Sequence, residues 1–548
     1  MRRTIIASLL LLSALVAWSQ ETPKHEIRAV WLTTLGGLDW PRTMNPKQQQ
    51  EDLIRLLDKY KAVGINTVLF QARVRATTTY PSDIEPWTEY LTGKVGQSPG
   101  YDPLQLVIDE CHKRGMQLHA WVVTIPVGKW KQGGTQLIRK KFPKQILRIG
   151  DEAYMNPEMP ETADYIAQCC KEIVDKYDVD GIHLDYIRYP ETWGKRSRTK
   201  PDERRANITR IVQAIHKEVK ASKPWVMLSC SPVGKFDNLS RYPSGGWNAR
   251  NAVFQDAQGW LKDSLMDALF PMMYFRDNNF YPFVIDWQER SYGRFIVPGL
   301  GIYFLDPREG KWELGDVERE MWVSRQIGAG HCYFRSKFLT DNVKGIYDFA
   351  ARFDATPALI PPMTWAVDSV PQQPQELNFQ EGVLSWSDST VSTEKHNYHL
   401  YNIYASKDFP VDVSNASNLV ATRLMRTSVR VPNNLQLNYA VTCQDRYGLE
   451  SLPAQLLLNA GPRYVVPIIA VTDGQPVRLP AKPSTLDADY VIVANMLGQQ
   501  LAIGPYSSSP FDVSHLPDGV YQLYSLGKKK RSHRIGFFMI KRNREEKE

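Results

Sequence analysis

Apolar and polar positions follow two different rhythms along the chain. Between Glu26 and Phe353, apolar runs of strand length alternate with stretches whose apolar residues recur at helical spacing. The runs predict strands at Ile27–Thr33, Thr67–Arg73, Gln117–Thr124, Val179–Asp185, Val226–Ser231, Ala268–Tyr274, Phe295–Tyr303 and His331–Arg335. Helices are expected between them. The first runs from Pro46 to about Ala62, with Leu53, Leu56, Leu57 and Tyr60 on its buried face and Gly64 as its C-cap. The second opens at Asp102-Pro103, an N-cap with proline in the first turn, and ends at Gly115. Others are expected at Glu161–Lys176, Thr209–Ala221, Gln255–Lys262, Phe283–Arg290, Asp316–Ile327 and Val343–Phe353. Eight strand–helix units in one run argue for an α/β fold, a closed parallel (β/α)8 TIM barrel over residues 26–355. No GxGxxG follows the first strand, which disfavours a dinucleotide-binding sheet. Two long excursions, Arg75–Tyr101 and Ile125–Asn156, leave the C-terminal ends of strands two and three, where loops of a barrel build its site.

The rhythm changes after the barrel. Residues 356–375 are a proline-rich linker, with Pro357, Pro361, Pro362, Pro371 and Pro374. Short alternating runs follow: Val383–Trp386, Tyr401–Ala405, Asn418–Ala421, Ser428–Val431 and Asn438–Gln444. They predict a β-sandwich over 376–460. A second small all-β sandwich is expected over 464–548, from Tyr490–Ala494 to Ile535–Ile540.

Composition adds bounds rather than identity. The chain has 548 residues, 43% hydrophobic and 23% charged, an ordinary globular balance spread over several domains. Residues 1–19 read as a secretory signal peptide: Arg2-Arg3, an apolar run from Ile5 to Val16, and Ala17-Trp18-Ser19 as a cleavage site. That run is too short for a membrane span, and no later segment is a transmembrane helix. The expected location is therefore exported: periplasm, cell surface or extracellular, a class that admits cell-envelope association. The net charge of +8 is dispersed apart from Lys528–Arg531, and no motif supports nucleic-acid binding. Six cysteines, at 111, 169, 170, 230, 332 and 443, have spacings that suit neither a disulfide framework nor a zinc site, so buried free thiols are expected. The histidines form no metal pattern, and no metal or cofactor is expected.

Candidate chemistry gathers where strands end. In strand four, Gly181, His183 and Asp185 share one face and Ile182 and Leu184 the other. In a barrel this turns His183 and Asp185 inward and sets Asp185 at the C-terminal rim, the catalytic end. Asp237 after strand five and Asp277 after strand six are candidate partners, because glycoside hydrolysis normally uses two carboxyl groups. Asp267 precedes its strand and falls at the stability end. Arg73 and Arg75 are placed to pair with Asp185 and hold it ionised, as a nucleophile or charge stabiliser. His183 and His119 read first as barrel-core histidines, His183 holding Asp185 by a hydrogen bond. Aromatic residues near the rim, including Trp40, Tyr80, Tyr274 and Tyr303, suit the C–H faces of sugars. No GxSxG or Cys/His arrangement offers a nucleophile.

Several stretches together carry a resemblance. They are Arg28–Thr33, Tyr80-Pro81-Ser82 with Ile84–Trp87, Leu91-Thr92-Gly93, Pro99–Leu104, His112–Gly115, His119-Ala120-Trp121, Asn156-Pro157 and Val179–His183. In this order they resemble the glycosyl-hydrolase-like family 10 barrels, exported bacterial proteins among which are hydrolases of peptide-free peptidoglycan strands. The resemblance implies a barrel glycosidase in which Asp185 stands at the place of the family's first acid, while Asp237 and Asp277 remain catalytic candidates by their strand-end positions. Substrate contacts are expected from Tyr80, His119, Trp121, Asn156 and His183 in the matching stretches, from Tyr186 beside them, and from Trp40, Arg73, Tyr274 and Tyr303 at strand ends and nearby loops. Three departures mark a divergent branch. Tyr186 stands where family members often have a second acid, Ala76–Thr79 replaces a Gly-Asp pair, and Val122–Ile125 replaces Asn-Pro-Tyr-Arg. The middle segment resembles fibronectin type III through Leu384–Trp386, Tyr401–Tyr404, Tyr439–Thr442 and Asp445–Gly448. The last resembles C-terminal sorting domains of exported cargo through Asn495–Gln499, Leu516–Tyr521 and Phe537–Arg542. The implied function is hydrolysis of a polysaccharide by carboxylate acid/base catalysis. The alternatives are glycan binding without catalysis on a degenerate barrel, and a lyase or transglycosylase on the same glycans.

Overall fold

The computed structural model describes residues 22–193, 198–367, 369–389, 396–432, 436–458, 476–477, 489–495, 500–507, 511–527 and 532–542. The expected signal peptide, the run at 528–531 and the stretch 496–499 lie outside them. No helix among the described residues is long and apolar enough to cross a membrane.

Among the described residues, thirteen strands precede residue 334: β1 (Arg28–Leu32), β2 (Thr67–Arg73), β3 (Gln117–Val123), β4 (Pro126–Lys129), β5 (Ile146–Ile149), β6 (Glu152–Met155), β7 (Gly181–Asp185), β8 (Met227–Cys230), β9 (Ala268–Leu269), β10 (Met272–Met273), β11 (Phe295–Ile296), β12 (Gly299–Leu300) and β13 (His331–Tyr333). All but β4–β6 belong to one parallel ladder. β1 pairs β2, β2 pairs β3, β3 pairs β7, β7 pairs β8 and β8 pairs β9. Then β9 pairs β11, β10 pairs β12, β12 pairs β13 and β13 returns to β1. Since β9 and β10 are two pieces of one passage of chain, and β11 and β12 of another, the ladder closes into a ring of eight strand positions. The expected sixth and seventh strands are each broken at a proline, Pro271 and Pro298. Proline brings no N–H to the ladder, so pairing shifts from one piece to the next.

The two faces of the ring bury different sets. Val30, Leu32, Val68, Phe70, Leu118, Val122, Ile182, Leu184 and Leu228 face the surrounding helices. Ala29, Trp31, Leu69, Trp121, Val123, Met227, Ala268, Phe270 and Cys332 form a separate interior cluster. Alternation thus assigns each strand residue a side. Two glycines are required by close approach: a Cβ at Gly181 would lie 2.6 Å from Cγ of His119, and one at Gly299 would lie 2.8 Å from the ring of Trp31.

The excursion after β3 is more ordered than the expected loop. β4, β5 and β6 form an antiparallel sheet in the order β4-β6-β5, joined by a helix at Gly133–Lys141. Gly150, with φ +62°, makes the tight turn from β5 to β6. Trp130 lies against this sheet with the Arg139 guanidinium 3.7 Å from its ring centre.

Polar groups tie the opposite, N-terminal end of the ring. Asn66, Asp180 and Asp267 each precede a strand and accept the backbone N–H of Arg28, Leu118 and Leu228, respectively, on the neighbouring strand. Asp267 also pairs with Lys220 at 2.7 Å, which agrees with its exclusion from the rim.

Further strands follow: β14 (Gln375–Gln380), β15 (Val383–Ser387), β16 (Leu400–Ser406), β17 (Leu419–Leu424), β18 (Ser428–Arg430), β19 (Asn438–Gln444), β20 (Ala454–Leu456), β21 (Tyr490–Ala494), β22 (Gln500–Pro505), β23 (Gly519–Leu526) and β24 (Ser532–Ile540). They form sheets in the orders β14-β15-β18, β17-β16-β19-β20 and β22-β21-β23-β24. The chain makes two compact units. One contains the barrel, continues to Tyr404 and includes segments 415–433 and 440–454; the other comprises 405–414, 434–439 and 455–548. The last sheet has its own core, with Val491, Val493, Val513, Leu523 and Phe538. All six cysteines are buried with free thiols.

Candidate active site

Asp185 ends β7 on the interior face and is 6% exposed. Its place is set by backbone pairing: Thr124 donates its N–H and its hydroxyl to the Asp185 carbonyl at 2.9 and 2.8 Å. The carboxyl receives three donors. Ser231 Oγ lies 2.9 Å and the Tyr186 N–H 2.8 Å from Oδ1, while Trp121 Nε1 donates to Oδ2 at 3.1 Å. Burial nevertheless dominates and raises the pKa; Ser231, the nearby Arg188 charge, Tyr186 N–H and Trp121 oppose it. The structure thus overturns the expectation of a carboxylate held ionised by Arg73 and Arg75. Arg73 is fully buried and pairs through two nitrogens with Glu85, at 2.8 and 2.6 Å, while it also donates to the carbonyls of Val123 and Thr124. Arg75 reaches Glu152 at 3.4 Å. A buried guanidinium takes the nearest carboxylate with matching fork geometry, and Glu85, brought by the loop after β2, reaches it first.

His183 is inward as expected but does not hold Asp185. Its Nε2 accepts from Trp31 Nε1 at 3.2 Å, and its Nδ1 lies 3.0 Å from Ser229 Oγ. Burial, reinforced by His119, pushes its pKa well down, so the ring is neutral. The Nδ1–H therefore donates to Ser229. Two residues along a strand lie on the same face but a full repeat apart, and in this ring Ser229 is the register neighbour of His183. His119 is likewise buried; its Nε2 lies 3.1 Å from Gln117 Oε1 and burial lowers its pKa to about 4.

An aromatic wall stands beside the carboxyl. Tyr274 stacks on Phe334 with centroids 5.0 Å apart and meets Tyr303 edge-on at 5.7 Å. Phe334 in turn meets Trp31 at 5.7 Å. Burial, and next the charge of Asp185, raises the Tyr274 hydroxyl pKa; burial moves that of Tyr303 to about 12. Tyr186 is 40% exposed, and the Arg188 guanidinium sits 4.7 Å from its ring centre and 5.6 Å from that of Trp247, itself 46% exposed. Phe334 and Trp247 were not among the expected site residues. Phe334 was legible as the neighbour of Arg335 at the end of the eighth strand, whereas nothing in the loop around Trp247 singled it out.

The other expected residues have structural partners. Asp237 binds Arg250 at 2.9 Å and the Asn251 amide at 2.8 Å. Asp277 lies in an exposed turn with φ +51°. Among the described residues, neither is hydrogen-bonded to Asp185. Trp40 is 1% exposed, donates to the Gln49 carbonyl and packs on Phe70. Tyr80, also 1% exposed, donates to Glu172 at 3.2 Å. Both burials leave no ring face for a sugar. Asn156 accepts the Glu158 N–H at 3.0 Å and shapes the entry to the helix at Pro160–Lys176. Among the residues expected to touch substrate, Trp121 through its indole N–H and Tyr186 through its backbone N–H are bonded to Asp185.

The profile of the Glycosyl hydrolase-like 10 family matches residues 26–294, from just before β1 to the approach to β11. The chain is 30% identical over 388 residues to glycosyl hydrolase YngK of Bacillus subtilis strain 168, an alignment spanning 64% of this chain and 76% of that protein. It is 33% identical over 286 residues to glycosyl hydrolase DigH of Escherichia coli K12, spanning 45% of this chain and 65% of that protein. Among solved structures, the glycoside hydrolase domain of PgaB (BpsB) from Bordetella bronchiseptica aligns with a TM-score of 0.41 at 13% identity, over 60% of this chain and 98% of that one.

Proposed function

Because the chain belongs to the glycosyl hydrolase-like 10 family, we propose that it is an exported glycoside hydrolase of polysaccharides, peptidoglycan glycan strands among them. Asp185 acts as its general acid. The observation that carries this reading is a buried carboxyl with a raised pKa at the C-terminal end of a barrel strand, beside aromatic rings. A carboxyl whose pKa is raised by burial holds its proton above the ordinary aspartate range and can give it to the glycosidic oxygen as the bond to the sugar breaks. Ser231 and Trp121 hold its oxygens in place, Tyr274 and Tyr186 offer ring faces to a sugar, and Asp237 and Asp277 remain the candidates for the second carboxyl group. The middle β segment serves as a fibronectin-like spacer and the C-terminal one as a sorting or accessory module.

A second reading is glycan binding without catalysis, favoured by Tyr186 where relatives often have an acid and by the pairing of Asp237 with Arg250 and Asn251. Incubating the full chain with peptide-free peptidoglycan and a panel of plant and host polysaccharides, then weighing the products, separates these. Hydrolysis gives new reducing ends that vanish in Asp185→Asn. Saturable binding without products supports the second reading, and anhydro ends point to a lyase. Full activity in Asp185→Asn would remove the role given to this residue.

A further inference from the structure

The compact unit that holds the barrel also gathers, far from the rim in sequence, three side chains that the glycan-directed reading leaves unused. Asp388 follows β15, His399 precedes β16 and Cys443 lies on β19. His399 Nδ1 is 2.6 Å from Asp388 Oδ2, and Cys443 Sγ is 3.8 Å from the same oxygen. One ligand atom from each residue lies within 4.8 Å of the other two, and no other such group of His, Cys, Asp or Glu occurs among the described residues. Tyr401 donates its hydroxyl to Asp388 Oδ2 at 2.7 Å.

We propose that Asp388, His399 and Cys443 form a binding site for a divalent transition metal, zinc by its ligand chemistry. A tetrahedral zinc with bonds of about 2.0–2.3 Å keeps its ligand atoms roughly 3.2–3.8 Å apart. The carboxylate–thiol separation already falls at that spacing, and a small withdrawal of the His399 ring opens the rest. Nitrogen, sulfur and oxygen donors together suit zinc, whereas calcium and magnesium take oxygen ligands. Cys443 is held on β19, and Asp388 and His399 are each one residue from a strand end, so the site is reached by side-chain adjustment. His399 retains 19% side-chain exposure against 5% for Asp388, which gives an ion an entry path. On binding, the Cys443 thiol gives its proton to solvent and its sulfur coordinates as thiolate. The His399 proton resides on Nε2, leaving the Nδ1 lone pair to the metal, and no electron is transferred. Tyr401 orients the carboxylate from outside, and water takes the fourth position. The sequence positions 388, 399 and 443 form no zinc spacing pattern, so only the fold brings these donors together.

The test uses the full chain, freed of metal by chelator and titrated with cobalt(II). The expected result is one equivalent bound, with a thiolate-to-cobalt charge-transfer absorption and visible ligand-field bands that zinc abolishes by displacement. Cys443→Ser removes the charge-transfer absorption, and His399→Gln weakens binding by about tenfold or more, at least what loss of an outer partner costs. His399→Gln, at a partly exposed position, keeps the test decisive if Cys443→Ser does not fold. A chain that shows no cobalt absorption, or a Cys443→Ser variant with the full absorption, overturns the proposal and leaves the three residues as a hydrogen-bonded cluster.

Discussion

At the scale of single residues, Asp185 and Glu320 face the same problem and solve it differently. Asp185 is buried with three donors around its oxygens. Glu320, on the helix at Leu314–Gln326, is 1% exposed and neither carboxyl oxygen has a hydrogen-bond partner. Both pKa values are raised by burial; Asp316 and Asp277 add repulsion at Glu320. For a raised carboxyl, the stability it leaves intact is fully present below the unfolded pKa and is lost as pH rises through the folded one. Glu320→Met should therefore stabilise the chain by about 1–3 kcal/mol near pH 8 and by less near pH 4, read from urea unfolding at the two pH values. A hydrolase using protonated Asp185 should lose kcat/KM as pH rises through a value above the ordinary aspartate range. The Asp185→Asn variant should flatten the pH dependence of stability there. Its amide sets an N–H against either Trp121 Nε1 or the Tyr186 N–H, so a cost of about 1–3 kcal/mol offsets the charge removed.

At the scale of elements, β3 and β7 meet through a glycine. Gly181 is paired with His119 in register, and its missing side chain is the space the imidazole fills. Gly181→Ala should destabilise the chain by about 1–3 kcal/mol through overpacking. In combination with His119→Ala most of that increment should vanish, so thermal unfolding of the four-member set should give strong non-additivity. Strand and helix identity here was legible in the sequence because it depends on local period. The strand breaks at Pro271 and Pro298 were visible as letters, yet whether a proline ends a strand or only shifts its partner depends on which neighbour lies alongside. The β4–β6 sheet was read as loop because four-residue strands carry too few alternations to stand out.

At the scale of the whole molecule, the barrel floor does not end at the linker. Asp180 Oδ1 accepts from Arg423 at 2.6 Å, and Asp178 Oδ1 from Arg446 at 2.9 Å, while His112 lies 2.8 Å from Asp180 Oδ2. All belong to one compact unit. The charges of His112, Arg423 and Arg446 outweigh burial and hold the Asp180 pKa far below its usual range. Arg446→Ala should cost about 3–5 kcal/mol at pH 7, because it leaves buried carboxylates short of a partner. A lowered carboxyl stabilises above its unfolded pKa and loses that contribution as pH falls. The deficit of Arg446→Ala, measured by urea unfolding, should therefore shrink below the ordinary carboxylate range. A chain ended at residue 367 should melt below the full chain for the same reason.

By itself the sequence determined the order of the ring's strands and of the main helices between them, the inward turn of His183 and Asp185, and the rim position of Asp185, since period, proline and glycine act over a few neighbouring residues. Only the tertiary structure decided that Arg73 takes Glu85, that His183 takes Ser229 and Trp31, and that Asp388, His399 and Cys443 meet. A charged or hydrogen-bonding group binds whichever partner the closed fold brings within about 3 Å, and that distance is set by segments remote in the chain.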